Sequence, residues 1–255
     1  MTPSPGPGAA LEARIDALVA RLDLERKVRL LTGASVWTTH DEPAVGLRAM
    51  VLSDGPAGVR GQVEDERSTS ANLPAPTALA ATWDEPLVER LGRLLAAEAR
   101  RKHADVLLGP TVNLQRTPLG GRHFECLSED PLLSAYNGVN GCTMTESPLL
   151  ADPLKREWGF DGVVVSDWSA TRSTEASARA ALDLVMPGPH GPWAGELVAA
   201  VREGRVPEAA VDDKVRRLLR LAARVGALGG TAALAPEKAC TCSKHSHSPS
   251  GERSR

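Results

Sequence analysis

Aromatic residues are scarce in this 255-residue chain: five Trp, two Phe and one Tyr, 3% in all. Its hydrophobic content is nonetheless 42%, so the core must come mainly from aliphatic side chains, and the length suffices to bury a sizeable one as a single domain. Four cysteines are too few for a disulfide scaffold, which fits a reducing compartment. Charge of one sign is also lacking. Thirty Lys and Arg nearly balance 32 Asp and Glu, a net charge of -2 that argues against a nucleic-acid partner. No apolar run approaches the ~20 residues that span a bilayer. The opening Met1-Thr2-Pro3-Ser4-Pro5-Gly6-Pro7-Gly8 has neither a basic n-region nor an apolar h-region. A soluble, cytoplasmic protein without membrane partners is expected.

What is present is an alternation of short apolar runs with amphipathic stretches. Leu11, Ile15, Leu18, Val19 and Leu22 share one helical face. Asp23 is placed to cap a second helix through Leu31, and Asp84 a long one through about His103, with Pro86 tolerated in its first turn. Further helices are expected over 194–203 and 212–225, the last with Val211, Val215, Leu218, Leu219, Ala222 and Val225 as its apolar stripe. Strand candidates are 50–52, 77–81, 106–108, 163–165 and 183–186. Strands alternating with helices imply a mostly parallel sheet or barrel.

Asp167 stands out within that pattern. Val163-Val164-Val165 is a β-branched run with no polar face, as suits a strand buried on both sides, and it stops at Ser166-Asp167-Trp168. A carboxylate at the carboxyl end of a parallel strand occupies the place where α/β folds keep their chemistry. The alternative is a cap for a following helix, since Ser and Asp are favoured there.

Other motifs join it in a fixed order. Ser53-Asp54-Gly55-Pro56-Ala57-Gly58-Val59-Arg60 follows Met50-Val51-Leu52. Then come Gly109-Pro110-Thr111-Val112-Asn113-Leu114, Leu119-Gly120-Gly121-Arg122-His123-Phe124-Glu125 and Ser128-Glu129-Asp130-Pro131. Tyr136-Asn137-Gly138-Val139-Asn140-Gly141, Trp158-Gly159-Phe160-Asp161-Gly162 and Met186-Pro187-Gly188-Pro189 complete the series. From about Leu22 to about Gly226 the chain resembles the amino-terminal barrel domain of glycoside hydrolase family 3, in its β-glucosidase branch. The N-acetylglucosaminidase branch fits less well, because its Lys-His-Phe-Pro-Gly-His-Gly loop is absent.

The resemblance implies a (β/α)8-type TIM barrel and a retaining β-glucosidase-type hydrolase acting on a small-molecule β-glucoside, with no cofactor. Asp167 matches the family's nucleophile. Asp54 matches the carboxylate that holds sugar hydroxyls, which need acceptors when they are buried. Read alone, Asp54 has the alternative of a turn former before Gly55-Pro56. Arg122 and Tyr136 match glycone-binding residues; a surface ion pair and a core tyrosine are the alternatives. Trp168 is suited to stacking on a sugar face or to buried packing. Glu125, Glu129 and Asp130 lie near the pocket by motif, yet none is nominated as the acid.

Two departures from the family qualify this picture. Leu133-Ser134 runs directly into Ala135-Tyr136-Asn137, where family members insert a strand-helix segment carrying a Lys-His pair. An incomplete barrel follows, with strand edges that invite self-association and with fewer strand candidates than the about eight a closed barrel needs. Lys102-His103 does not replace the missing pair and reads as solvated surface. The resemblance also fades before the second domain, which in many members supplies the acid. The expected organisation is a disordered terminus over 1–10, the barrel domain over 11–228 and a disordered tail over 229–255. That tail carries Cys240, Cys242, His245 and His247, whose spacing matches no structural zinc pattern, so no metal site is expected. The expected function is β-glucoside hydrolysis, impaired by these losses. The alternatives are a non-catalytic remnant that binds sugar or protein, and a broken product without a stable fold.

Overall fold

Short extended segments, paired both parallel and antiparallel, organise the computed structural model, which describes residues 7–63, 65–111, 119, 121, 123–126 and 138–229. Val165 bridges to Leu184 and Thr32 to Val185, both in parallel. Backbone bonds from Ser166 N to Leu184 O (2.9 Å), Val185 N to Leu31 O (2.9 Å) and Gly33 N to Val185 O (3.0 Å) hold these three segments together. Gly33 continues to Thr39, and Thr38 to Val51, through antiparallel bridges. Strand β1 (Leu52–Asp54) then pairs in parallel with β2 (Val106–Leu108), Asp54 opposite Leu108. The spatial order is therefore 163–166, 183–186, 31–33, 38–39, 50–54, 106–108. In chain order the last extended segment, 183–186, lies beside the first, 31–33. A closed barrel is not formed among the described residues.

Burial varies systematically along this arc. Leu184, Val185, Met186, Leu31, Met50 and Leu52 are buried. Residues 163–165 and 106–108, at the two ends, are only half-buried. The Val163-Val165 run is thus covered less completely than its composition predicts. Its outer edge, like that of β2, carries no backbone pairing among the described residues, so neither rim gains a neighbouring layer of side chains.

Helices close the other side. α1 (Pro7–Val19) packs on α7 (Glu208–Arg224), and α2 (Leu24–Leu30) on both α6 (Ala194–Arg202) and α7. On α7, Val211, Val215, Leu218, Leu219 and Ala222 are completely buried, as their i, i+4, i+7, i+8, i+11 spacing requires. Each such Val or Leu contributes about 1.5–3 kcal/mol relative to exposure. Asp23 caps α2 by accepting from Arg26 N at 2.8 Å, and Asp84 caps α4 (Glu85–Arg101) by accepting from Leu87 N at 2.9 Å. Helix α1 begins at Pro7, earlier than the apolar periodicity from Leu11 suggested. A two-stranded antiparallel hairpin, β3 (Gly138–Val139) with β4 (Cys142–Thr143), turns through Asn140 and Gly141, both at positive φ.

Two expectations need correction. Residues 77–81 are not a strand but belong to helix α3 (Pro76–Ala81). Pro76 presets φ for a first helical turn, and the alanines favour helix over strand. Lys102 is not merely solvated: its ammonium donates to Ser68 O at 2.6 Å and to Arg60 O at 3.3 Å, tying down the loop after β1.

A buried charge cluster underlies the 183–186 segment. Asp183 is fully buried, takes Lys155 Nζ at 2.6 Å on one oxygen and accepts from Val164 N at 2.8 Å on the other. Lys214 donates to Ala180 O and Leu182 O at 2.8 and 2.7 Å and lies 5.7 Å from the centroid of Trp193. Burial pushes the Asp183 carboxyl above its usual range against the pull of Lys155, and it pushes Lys155 down. Lys214 is pushed down to about 8, again chiefly by burial. The cluster fixes the backbone of 163–166 to that of 183–186.

Candidate active site

The segment that ends in Asp167 and strand β1, which ends in Asp54, belong to the same arc. Ser53 prepares the first carboxylate. Fully buried, it donates from Oγ to Asp54 O (2.9 Å) and accepts from Gly61 N (2.8 Å), which folds the chain back after the strand. Arg60 N donates to Asp54 O at 2.9 Å and closes that loop. Gly55 must turn sharply here; its φ is +134°, and a Cβ would fall 1.9 Å from Gly58 O. Asp54 Oδ1 accepts from Gly55 N at 2.9 Å.

The second carboxylate is built in a parallel way. Ser166 is buried, and its hydroxyl accepts from Met186 N (2.9 Å) and donates to Met186 O (3.2 Å). Asp167 Oδ1 accepts from Trp168 N at 2.7 Å, and Ala170 N donates to Asp167 O at 3.0 Å. The intervening Ser169 has a φ of +62°, and the next helix, α5 (Glu175–Arg179), begins well downstream. Asp167 is therefore not the cap of a following helix. Both carboxylates are half-buried, and among the described residues neither Oδ2 accepts a hydrogen bond.

Trp168 and Trp37 connect them. The two rings lie 5.0 Å apart at 41°, and Trp168 Nε1 donates to Val36 O at 2.8 Å. Trp37 O in turn accepts from Leu52 N, at 2.8 Å, on the strand that carries Asp54. Sequence reasoning missed Trp37. Its signal was the scarcity of aromatics, which makes any Trp beside the site informative. Trp168 packs on Trp37 and is half-buried. Arg122, Tyr136, Glu129 and Asp130 lie outside the described residues. Glu125 is half-buried in a single turn, His123–Glu125, with His123 and with Phe124 largely exposed. No cluster of three or more His, Cys, Asp or Glu suited to a metal occurs among the described residues, and Cys240, Cys242, His245 and His247 fall outside them. No described helix is long and apolar enough to cross a membrane.

The structure is thus an α/β arrangement in which Asp54 and Asp167 each stand at the end of an extended segment. Residues 32–139 and 132–221 match the glycosyl hydrolase family 3 N terminal domain, and the chain belongs to that family. It is 35% identical to the probable beta-glucosidase J of Aspergillus fumigatus over 291 residues, covering 88% of this chain and 34% of that protein. A beta-glucosidase of Rhizobium radiobacter is 37% identical over 281 residues, 84% of this chain and 34% of the relative. Among solved structures, the beta-glucosidase of Kluyveromyces marxianus in complex with glucose superposes with a TM-score of 0.77 at 28% identity. It covers 84% of this chain and 35% of that one. Beta-glucosidase 3B of Thermotoga neapolitana in complex with glucose gives 0.75 at 28%, over 82% and 42%. The chain spans about a third of the length of the curated relatives it matches.

Proposed function

We propose that this chain carries the nucleophile half of a retaining β-glucosidase-type site, with Asp167 attacking the anomeric carbon and Asp54 accepting glycone hydroxyls. One observation carries the reading: two half-buried carboxylates at strand carboxyl ends, each with an unused oxygen, are tied to one Trp37-Trp168 unit in a family 3 chain. Glycosidic cleavage needs a carboxylate below the oxocarbenium-like centre and an acid above the leaving oxygen. The first role has a residue here; no described residue is assigned the second. Arg122 and Tyr136 complete the proposed glycone subsite, and Trp168 lines it. The beta-glucosidase names of the relatives and the glucose bound in two similar structures support this substrate class.

The barrel is proposed to be incomplete. The alignment with the Aspergillus relative runs over 291 residues, more than the 255 of the chain, so the relative has residues without counterpart here. The family match breaks into two parts that meet at 132–139, and the half-buried rims lie at 106–108 and 163–165. These observations favour a second reading as well, a sugar-binding chain without turnover.

A glycoside panel separates the two readings. Turnover is expected on dinitrophenyl β-glucoside, whose leaving group departs without an acid, and not on cellobiose. Asp54→Asn should raise KM by roughly 10-fold or more on that aryl substrate, because hydroxyl donors lose a charged acceptor. Efficient cellobiose hydrolysis would reveal an unassigned acid, with Glu125 and Glu129 the first to replace. Glucose binding without turnover of any aryl glycoside would select the second reading.

The unpaired rims also predict self-association at micromolar concentration, through the edges of β2 and of 163–165. Sedimentation velocity should show a concentration-dependent dimer or larger species. A monomer at every concentration tested would remove this partner.

A further inference from the structure

Asp167 and Trp168 form a two-residue loop whose two ends are pinned to one carbonyl. Met186 O accepts from the Ser166 hydroxyl at 3.2 Å and from Ser169 N at 3.1 Å. Ser166 Oγ in turn accepts from Met186 N at 2.9 Å, so a single hydroxyl engages both backbone groups of a fully buried residue. Among the described residues, Met186 N has no other acceptor.

The segment before the loop is fixed by other bonds. Val164 N donates to Asp183 Oδ2 at 2.8 Å, Asp183 N to Val164 O at 2.9 Å and Ser166 N to Leu184 O at 2.9 Å. This ladder stops at Ser166 N, one peptide short of the carboxylate. Beyond it, among the described residues, the loop is attached to 183–186 through Met186 alone. The loop also needs an anchor, because Ser169 sits at a φ of +62°, which a non-glycine residue keeps only when its surroundings impose it. Ser53 is arranged differently: its hydroxyl bridges Asp54 O and Gly61 N, within its own loop.

We propose that Ser166 is a positioning residue for Asp167, its hydroxyl clasping Met186 so that the carboxylate is held where it can reach the anomeric carbon. The inference rests on the nucleophile reading of Asp167 given above. Ser166 is 3% exposed and acts through its neighbour, without touching substrate. An alanine would fit the same space but would orphan the buried Met186 N–H and free one end of the loop. Attack is sensitive to such a change, since a misplacement of about 1 Å costs on the order of 10²-fold in rate.

The test compares the full chain with Ser166→Ala and with Val211→Ala, which opens a cavity in the buried face of α7 and calibrates general loosening. On dinitrophenyl β-glucoside, Ser166→Ala should lower kcat about 10- to 100-fold while KM stays within about 3-fold, because the loop that carries Asp54 is untouched. Val211→Ala should change neither. Amide hydrogen exchange, read residue by residue by NMR, supplies an arm independent of turnover. Ser169 and Met186 should exchange at least about 5-fold faster in Ser166→Ala than in Val211→Ala, the worth of a lost buried hydrogen bond. Should Ser166→Ala not fold, Ser166→Cys, with its weaker donor, carries both arms with smaller losses in the same direction. Equal protection of these amides in the two variants would overturn the clasp. Loosened amides with unchanged kcat, or an equal kcat loss in Val211→Ala, would overturn the positioning role. An unmodified chain inert toward every aryl glucoside would fail the nucleophile reading instead, and the exchange arm would still decide the clasp.

Discussion

Asp167→Asn is expected to abolish turnover of activated aryl glucosides, by roughly 10⁴-fold or more in kcat. The amide cannot form the glycosyl ester, so the loss falls on the first chemical step. The fold should survive the change. Oδ1 accepts from Trp168 N at 2.7 Å, a bond that the amide oxygen can keep, and Oδ2 has no partner among the described residues to lose. Near-ultraviolet circular dichroism of the Trp37-Trp168 pair supplies the control, since those rings lie 5.0 Å apart and report on the site's packing. Intact-mass analysis after exposure to a 2-deoxy-2-fluoro glucoside with a good leaving group should find one adduct, mapped to the peptide holding Asp167. An adduct on another carboxylate, or activity that persists in the variant, would move the nucleophile elsewhere.

The second large effect concerns stability. Asp183→Asn should destabilise the chain by about 3–5 kcal/mol, because it removes one partner of a buried ion pair and leaves the other charge uncompensated. Lys155 Nζ sits 2.6 Å from that carboxylate, and no other described acidic group bonds to it. Urea unfolding at pH 7 measures the loss; a change under about 1 kcal/mol would mean that water reaches the pair. Lys214 adds a pH signature. Its pKa of about 8 lies below the ordinary 10.5, so between these values the unfolded chain binds more protons than the folded one. Its contribution therefore opposes folding fully below pH 8 and is relieved as pH rises toward 10.5. Relative to Lys214→Met, the unmodified chain should gain stability across that window.

Much of the site was legible because its signals are local. Ser53-Asp54-Gly55 and Ser166-Asp167-Trp168 each couple a strand end, a buried serine and a carboxylate within three consecutive residues, and each carboxylate accepts from the very next backbone N–H. Helix caps were legible for the same reason, as Asp23 and Asp84 show. Residues 77–81 misled because Thr-Ala-Leu-Ala-Ala has no strong period, and Pro76 decided the outcome from just outside the window. Lys102 misled because its carbonyl partners lie 34 and 42 positions away.

The sequence by itself determined the helical stripes, the caps, the two carboxylate turns and the family, all of which follow from short-range spacing and from motif order. Tertiary structure decided which extended segments became neighbours: 183–186 beside 31–33, and Trp37 between Asp54's strand and Trp168. It also decided that Asp183 is paired with a buried lysine. Such pairings depend on long loop closures and on desolvation. Both are set by what the rest of the chain buries, and no local window contains that information.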